Sequence, residues 1–134
     1  MKTIAIVNGV NLGELGTREV NVYGYVNFDD YVEYLRKIFP QLQILYFQSN
    51  FVGEIVDFML KHKNIDGFVL NAGAFTHQSM ILSDTIKAIP SKVIEVHITN
   101  LFGREEYRKK SYISSACIGN ISGFGLKSYD LALF

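Results

Sequence analysis

Two pairs of residues in this chain have types and spacings that could carry proton-transfer chemistry. The first lies in Val93-Ile94-Glu95-Val96-His97-Ile98-Thr99-Asn100, where β-branched residues dominate and nothing breaks a strand. Residues two apart on a strand share a face, with Cβ atoms about 7 Å apart, so Glu95 and His97 point the same way. Buried inside a strand, such a pair must be partnered or must neutralise itself, because a desolvated charge is expensive. At the strand's carboxyl end it opens into a crevice, and a carboxylate that orients an imidazole makes His97 a general acid or base working near neutral pH. The pair also reads as a histidine satisfied within the core, and alone it leaves both readings standing.

The second pair is Arg18 and Tyr23, within the Gly-rich stretch from Gly9 to Tyr25. A phenol titrates near pH 10, and a guanidinium beside it favours the phenolate, each tenfold gain in acidity being worth about 1.36 kcal/mol. A tyrosine held by arginine on a loop over a site can therefore act as a base. A loop tyrosine simply packed over a loop arginine is the alternative. Cofactor patterns do not fit this loop. Gly9, Gly13 and Gly16 miss the G-x-G-x-x-G spacing, no Gly-Lys-Ser or Gly-Lys-Thr is present, and no helix follows directly to hold a pyrophosphate. His77, His97 and Glu95 do not form a familiar zinc spacing. A flavin carrier is allowed by fold alone, and it would purify yellow.

The elements that must position these groups read as alternating strands and helices. Thr3 to Asn8 is almost continuously apolar, as a central parallel strand covered on both faces would be. The loop to Tyr25 has no helical period, and so long a structureless segment in a small domain points to a mobile cover over a site. Asn27 caps a helix running to about Phe39, with Phe28, Val32, Leu35 and Phe39 on one stripe and Pro40 ending it. Further strands are expected at Leu42–Gln48, Asp66–Asn71, Val93–Asn100 and near Ser115–Asn120. Helices are expected at about Val52–Lys63, Gln78–Ile89 and Leu126–Leu133.

This alternation predicts one α/β domain over residues 1–134, a flavodoxin-like three-layer sandwich with a five-stranded parallel sheet in the order 2-1-3-4-5. Open parallel sheets bind ligands outside the carboxyl ends of their strands. Asn8, Asn11, Arg18 and Tyr23 follow the first strand, Gln48 and Asn50 the second, and Asn71 and His77 the third. Glu95, His97, Thr99 and Arg108 lie at or beyond the end of the fourth, so the fold would gather them around one crevice.

Composition narrows the function classes. The chain has 134 residues, 49% apolar, with 13 basic and 13 acidic side chains and a formal net charge of zero. That is enough for one core, and it gives no electrostatic footprint for nucleic acid or an anionic membrane surface. Cys117, the single cysteine, reads as a packed thiol in a reducing compartment. No stretch reaches the roughly 20 apolar residues of a spanning helix, and the amino end has no cleavable leader pattern. A cytoplasmic protein is expected.

Set beside one another, the motifs resemble a known family across nearly the whole chain. They are Asn8-Gly9-Val10-Asn11-Leu12, Leu15-Gly16-Thr17-Arg18-Glu19, Val22-Tyr23-Gly24, Gln48-Ser49-Asn50, Gly53-Glu54, Asn71-Ala72-Gly73-Ala74-Phe75-Thr76-His77, Val93 to Asn100, Arg104-Glu105-Glu106-Tyr107-Arg108 and Ser111-Tyr112. The chain is similar in these to the type II 3-dehydroquinate dehydratases. The resemblance implies a lyase of the shikimate pathway of aromatic amino acid biosynthesis. It would dehydrate 3-dehydroquinate to 3-dehydroshikimate through an enolate, with no metal, Schiff base or other cofactor, in a homo-oligomer built from trimers, commonly a dodecamer.

The resemblance also implies roles. Tyr23 would be the base, Arg18 would hold it as phenolate, and Asn11 would hold a water that stabilises the enolate. His97 would be the general acid, oriented by Glu95. Asn71, His77 and Arg108 would bind the substrate, Thr99 and the backbone at Ile98 would receive its carboxylate, and Asp84 would reach into a neighbouring subunit's site.

The chain departs from the family pattern at several places. Val10 and Ala72 stand where proline is usual, which removes a fixed φ from each turn. Gly13-Glu14, Val20-Asn21 and Phe51-Val52 also replace the usual residues. The alternative implied is a catalytically weak relative that binds a quinate-like or shikimate-like acid without turning it over.

Overall fold

The computed structural model describes residues 1–9, 27–73, 80–98 and 113–134. Within them the chain runs β1 (Lys2–Asn8), α1 (Phe28–Ile38), β2 (Leu42–Gln48), α2 (Val52–Lys61), β3 (Gly67–Asn71), α3 (Met80–Ala88), β4 (Lys92–His97), a 3-10 turn at Ser114–Ala116, β5 (Gly119–Ser122) and α4 (Lys127–Leu133). The five strands form one sheet in the order β2-β1-β3-β4-β5, and every neighbouring pair is parallel.

Alternation along the strands builds the layers. On β1, Ala5 and Val7 face one side with Phe68, Leu70 and Val93, where α2 supplies Ile55 and Met59 and α3 supplies Leu82 and Ile86. Ile6 faces the other side with Ile44, Val69 and Val96, where α1 supplies Phe28, Val32 and Leu35 and α4 supplies Tyr129. Both faces are covered, which is why β1 and β3 read as nearly continuous apolar runs.

The helix boundaries follow local chemistry. The Asn27 side chain accepts from Asp29 N at 2.8 Å and Asp30 N at 3.4 Å, satisfying donors that the first turn of α1 leaves open. Asp29 and Asp30 lie in that first turn and Arg36 and Lys37 in the last, the charge order that the helix dipole favours. Tyr31 donates its hydroxyl to Asp130 and so ties α1 to α4 on their shared face.

The last strand lies further along than the expected Ser115–Asn120. Ser114–Ala116 winds into the 3-10 turn, and β5 begins at Gly119, opposite Ile94. Its residues are exposed or half-buried, as on an edge strand. Ala116 and Cys117 therefore belong to the turn and its exit, and Ile118, whose N donates to Val93 O at 2.8 Å, leads into the ladder. The helix expected to reach Lys63 ends at Lys61, where His62 caps it through a backbone bond to Phe58. Among the described residues, no helix is long and apolar enough to cross a membrane.

Candidate active site at the carboxyl ends of the strands

Register sets the polar row at the crest of the sheet. Asn8 pairs with Gln48 on one side and with Asn71 on the other, while His97 lies opposite Ser122. Each residue is the last of its strand, so the parallel arrangement delivers all five to one edge.

Glu95 and His97 share the face of Val93, as a period of two requires. His97 Nε2 meets Glu95 Oε2 at 2.5 Å. Glu95 is fully buried and His97 is 8% exposed, so the pair sits inside the crest with only the imidazole reaching its surface. The carboxylate's other oxygen, Oε1, accepts from the Ser114 hydroxyl. Burial alone would push the Glu95 carboxyl up. Hydrogen bonds from His97 and Ser114, the charge of His97 and a hydrogen bond from Asn120 outweigh it and hold the group below its ordinary value. A carboxylate held ionised here fixes the imidazole with its Nε2 proton toward Glu95, which leaves Nδ1 as the ring atom that can exchange a proton.

The opposite face of the crest carries a buried amide pair. Asn8 is fully buried and Asn71 is 3% exposed, and unpartnered amides there would be costly. Asn71 Nδ2 donates to the Tyr129 hydroxyl at 2.9 Å, and that hydroxyl donates to Asn8 Oδ1 at 2.8 Å. Asn71 Oδ1 accepts from Gly73 N at 3.2 Å. Asn8 Nδ2 has no hydrogen-bond partner among the described residues, although the Asn8 side chain lies near enough to Tyr46 to oppose the burial that pushes that phenol up to about 12.

Backbone contacts lock these strands together. Gly9 N donates to Asn71 O at 2.7 Å. A Cβ at Gly9 would stand 2.2 Å from Ala72 O, so only glycine lets the exits of β1 and β3 come this close. Gly123 N donates to His97 O at 3.2 Å and Gly125 N to Ile98 O at 2.9 Å. Ser128 Oγ adds a bond to His97 O at 3.3 Å. The start of α4 is thus tied to the end of β4.

Of the candidate site residues, the structure joins Glu95 and His97 directly and puts Asn71 and Ile98 at the same edge, with Ile98 buried. Asp84 is exposed on α3. Asn11, Arg18, Tyr23, His77, Thr99 and Arg108 lie outside the described residues. Sequence reasoning did not find Ser114 or Tyr129. Ser114 adjoins the matched Ser111-Tyr112, which was the available signal, whereas Tyr129 was one more aromatic on an amphipathic helix. Among the described residues, no group of three or more His, Cys, Asp or Glu could hold a metal ion.

Comparison with known proteins is consistent along the chain. The family model described as Dehydroquinase class II matches residues 2–134. A 3-dehydroquinate dehydratase from Caldicellulosiruptor saccharolyticus is 49% identical over 138 residues, covering 100% of this chain and 95% of the relative. The crystal structure of a type II dehydroquinase from Butyrivibrio crossotus superposes with a TM-score of 0.94 at 37% identity, covering 98% of this chain and 94% of that one. That of a type II dehydroquinase from Propionibacterium acnes gives 0.92 at 33% identity, covering 99% and 94%.

Proposed function

From the membership of this chain in the class II dehydroquinase family, we propose that it is a 3-dehydroquinate dehydratase working by the acid and base roles read from its sequence. The observation that carries the chemistry is the buried Glu95–His97 pair at the end of β4, 2.5 Å apart. Its carboxylate is held ionised by hydrogen bonds rather than by exposure to water.

In this reading Tyr23, as phenolate beside Arg18, removes the proton next to the ketone, and the electron pair becomes an enolate stabilised through a water held by Asn11. The enolate collapses, the carbon–oxygen bond to the departing hydroxyl breaks, and His97 gives that oxygen a proton, so the products are water and a conjugated enone. Glu95 keeps the imidazole in the tautomer that can do this and stabilises its charged form. Asn71, His77, Arg108 and the carboxylate-receiving backbone at Ile98–Thr99 hold the acid in place. Asp84 would complete a neighbouring subunit's site, which makes a trimer-based oligomer part of the proposal.

The test is to mix the purified protein with 3-dehydroquinate and follow the ultraviolet absorbance of the conjugated product. Turnover that survives a metal chelator is expected. Binding of a quinate-like acid with no product would overturn the enzyme mechanism in favour of a binding protein.

A further inference from the structure

We propose that Tyr129 is a positioning residue for substrate binding, acting through Asn71. The inference rests on the reading of Asn71 as a substrate contact and goes beyond it. The directions of the hydrogen bonds around Tyr129 are forced. The Asn71 amide nitrogen can only donate, so the tyrosine oxygen accepts from it at 2.9 Å, and its one proton goes to Asn8 Oδ1 at 2.8 Å. Turning the Asn71 amide over would set two donors, its own nitrogen and Gly73 N, against each other, so the Gly73 bond at 3.2 Å excludes that state. Turning over Asn8 would leave the phenolic proton with no acceptor in this relay.

The consequence is a single amide orientation for Asn71. One Nδ2 proton is spent on Tyr129 and one Oδ1 lone pair on Gly73, which leaves one donor and one acceptor direction for a ligand at the crest. The torsion that turns an asparagine amide is broad and roughly two-fold by itself, so the side chain alone does not choose between presenting its donor and presenting its acceptor. Gly73 N selects the orientation, and Tyr129, from α4, holds the amide in it through the bond to Nδ2. Its ring is held independently of its hydroxyl: it is fully buried and lies edge-on to Phe28, with ring centroids 4.8 Å apart. Bonds from Gly123, Gly125 and Ser128 to the end of β4 and the residue after it fix the same segment to the crest. The carboxy-terminal helix therefore orders the binding side of the site from behind, on the face opposite Glu95.

The test is a double-mutant cycle in the full-length enzyme with Tyr129→Phe and Asn71→Ala. Tyr129→Phe keeps the ring and removes the relay. It is expected to raise KM by about three- to tenfold and to leave kcat within about twofold, the pattern of lost uniform binding. A merely structural role would lower the active fraction, and with it kcat, at constant KM. In the Asn71→Ala background the same change is expected to add nothing. An unchanged KM for Tyr129→Phe, or an equal rise in both backgrounds, overturns the proposal while leaving Asn71 a substrate contact. An unchanged KM for Asn71→Ala alone overturns the reading beneath it as well. Should Tyr129→Phe not fold, the wild-type protein still decides. By NMR, one Asn71 side-chain amide proton is expected to exchange with solvent more slowly than the other, and two equally fast protons overturn the relay.

Discussion

Ser114 donates its hydroxyl to the Glu95 oxygen that His97 does not use, from 19 positions away in the chain. The carboxylate is thereby gripped on both oxygens, and its plane, which sets the plane of the imidazole, cannot turn without breaking one bond. Removing the hydroxyl leaves a buried acceptor short of a donor, a loss of about 1–3 kcal/mol. Ser114→Ala is therefore expected to lower the unfolding midpoint and to cut kcat by about tenfold with little change in KM. Because the carboxyl loses a donor, its pKa rises, and the acid limb of the kcat–pH profile should move to higher pH. An unmoved profile would show that the serine does not tune the pair.

Substitutions at the proposed acid and the proposed base are read by different measurements. His97→Asn takes from a fully buried carboxylate one of its hydrogen bonds, leaving those from Ser114 and Asn120, and a lost bond to a buried charged group costs about 1.5–3 kcal/mol. It should therefore depress stability as well as turnover, the latter by about 10²–10⁴-fold. Glu95→Gln keeps a polar group in place and should fall between His97→Asn and wild type. Tyr23→Phe should abolish elimination while product-like acids still bind. Calorimetric titration with such an acid, run beside the kinetic assay, separates the cases. Substantial turnover in Tyr23→Phe would remove that residue as the base.

Stability should fall at both ends of the pH scale, for opposite reasons. Glu95 is held below its ordinary value of 4.5, so on acidification the unfolded chain takes up that proton first. The pair's contribution is complete above about pH 5.5 and is lost as the pH falls through 4.5 toward the lower folded value. At the alkaline end, burial raises Cys117 from 9.0 to about 12 and Tyr46 from 10.0 to about 12. The unfolded chain then loses protons first, and stability declines as the pH rises from about 9. Urea midpoints across pH should show a plateau between these limits. Cys117→Ala should move the alkaline onset up to about 10, where the phenol begins to titrate in the unfolded chain. Glu95→Gln should shrink the acid-side loss.

What could be read from the sequence depended on whether a signal was local. The first four strands were legible as apolar, β-branched runs, although β4 ends at His97, with Ile98 already outside it and short of the expected Asn100, and the Glu95–His97 contact followed from a spacing of two. The fifth strand was shifted because its own residues are exposed or half-buried, while Ala116 and Cys117 just before it pack against the core. Cys117 did prove to be half-buried against the core. Tyr129 had no local signature at all. Its hydroxyl meets partners 58 and 121 positions away, and on its helix it is only one more apolar position. Asn71 was legible as a motif residue, but the side of the sheet it faces became apparent only with α4 in place.

Asp84 provides the remaining prediction, because the role proposed for it depends on another copy of the chain. It lies exposed on α3, and the role proposed for it is in a neighbouring subunit's site. Asp84→Ala should then weaken binding of a product-like acid without lowering the unfolding midpoint, since substitution at an exposed helix position changes stability little. The decisive form is complementation. Subunits carrying only His97→Asn and subunits carrying only Asp84→Ala are each expected to be poorly active. Unfolded together and refolded as mixed oligomers, they should regain part of the wild-type rate, because some sites then combine an intact His97 with an intact Asp84 from the next subunit. A mixture no more active than the sum of its parts would show that Asp84 serves no neighbouring site.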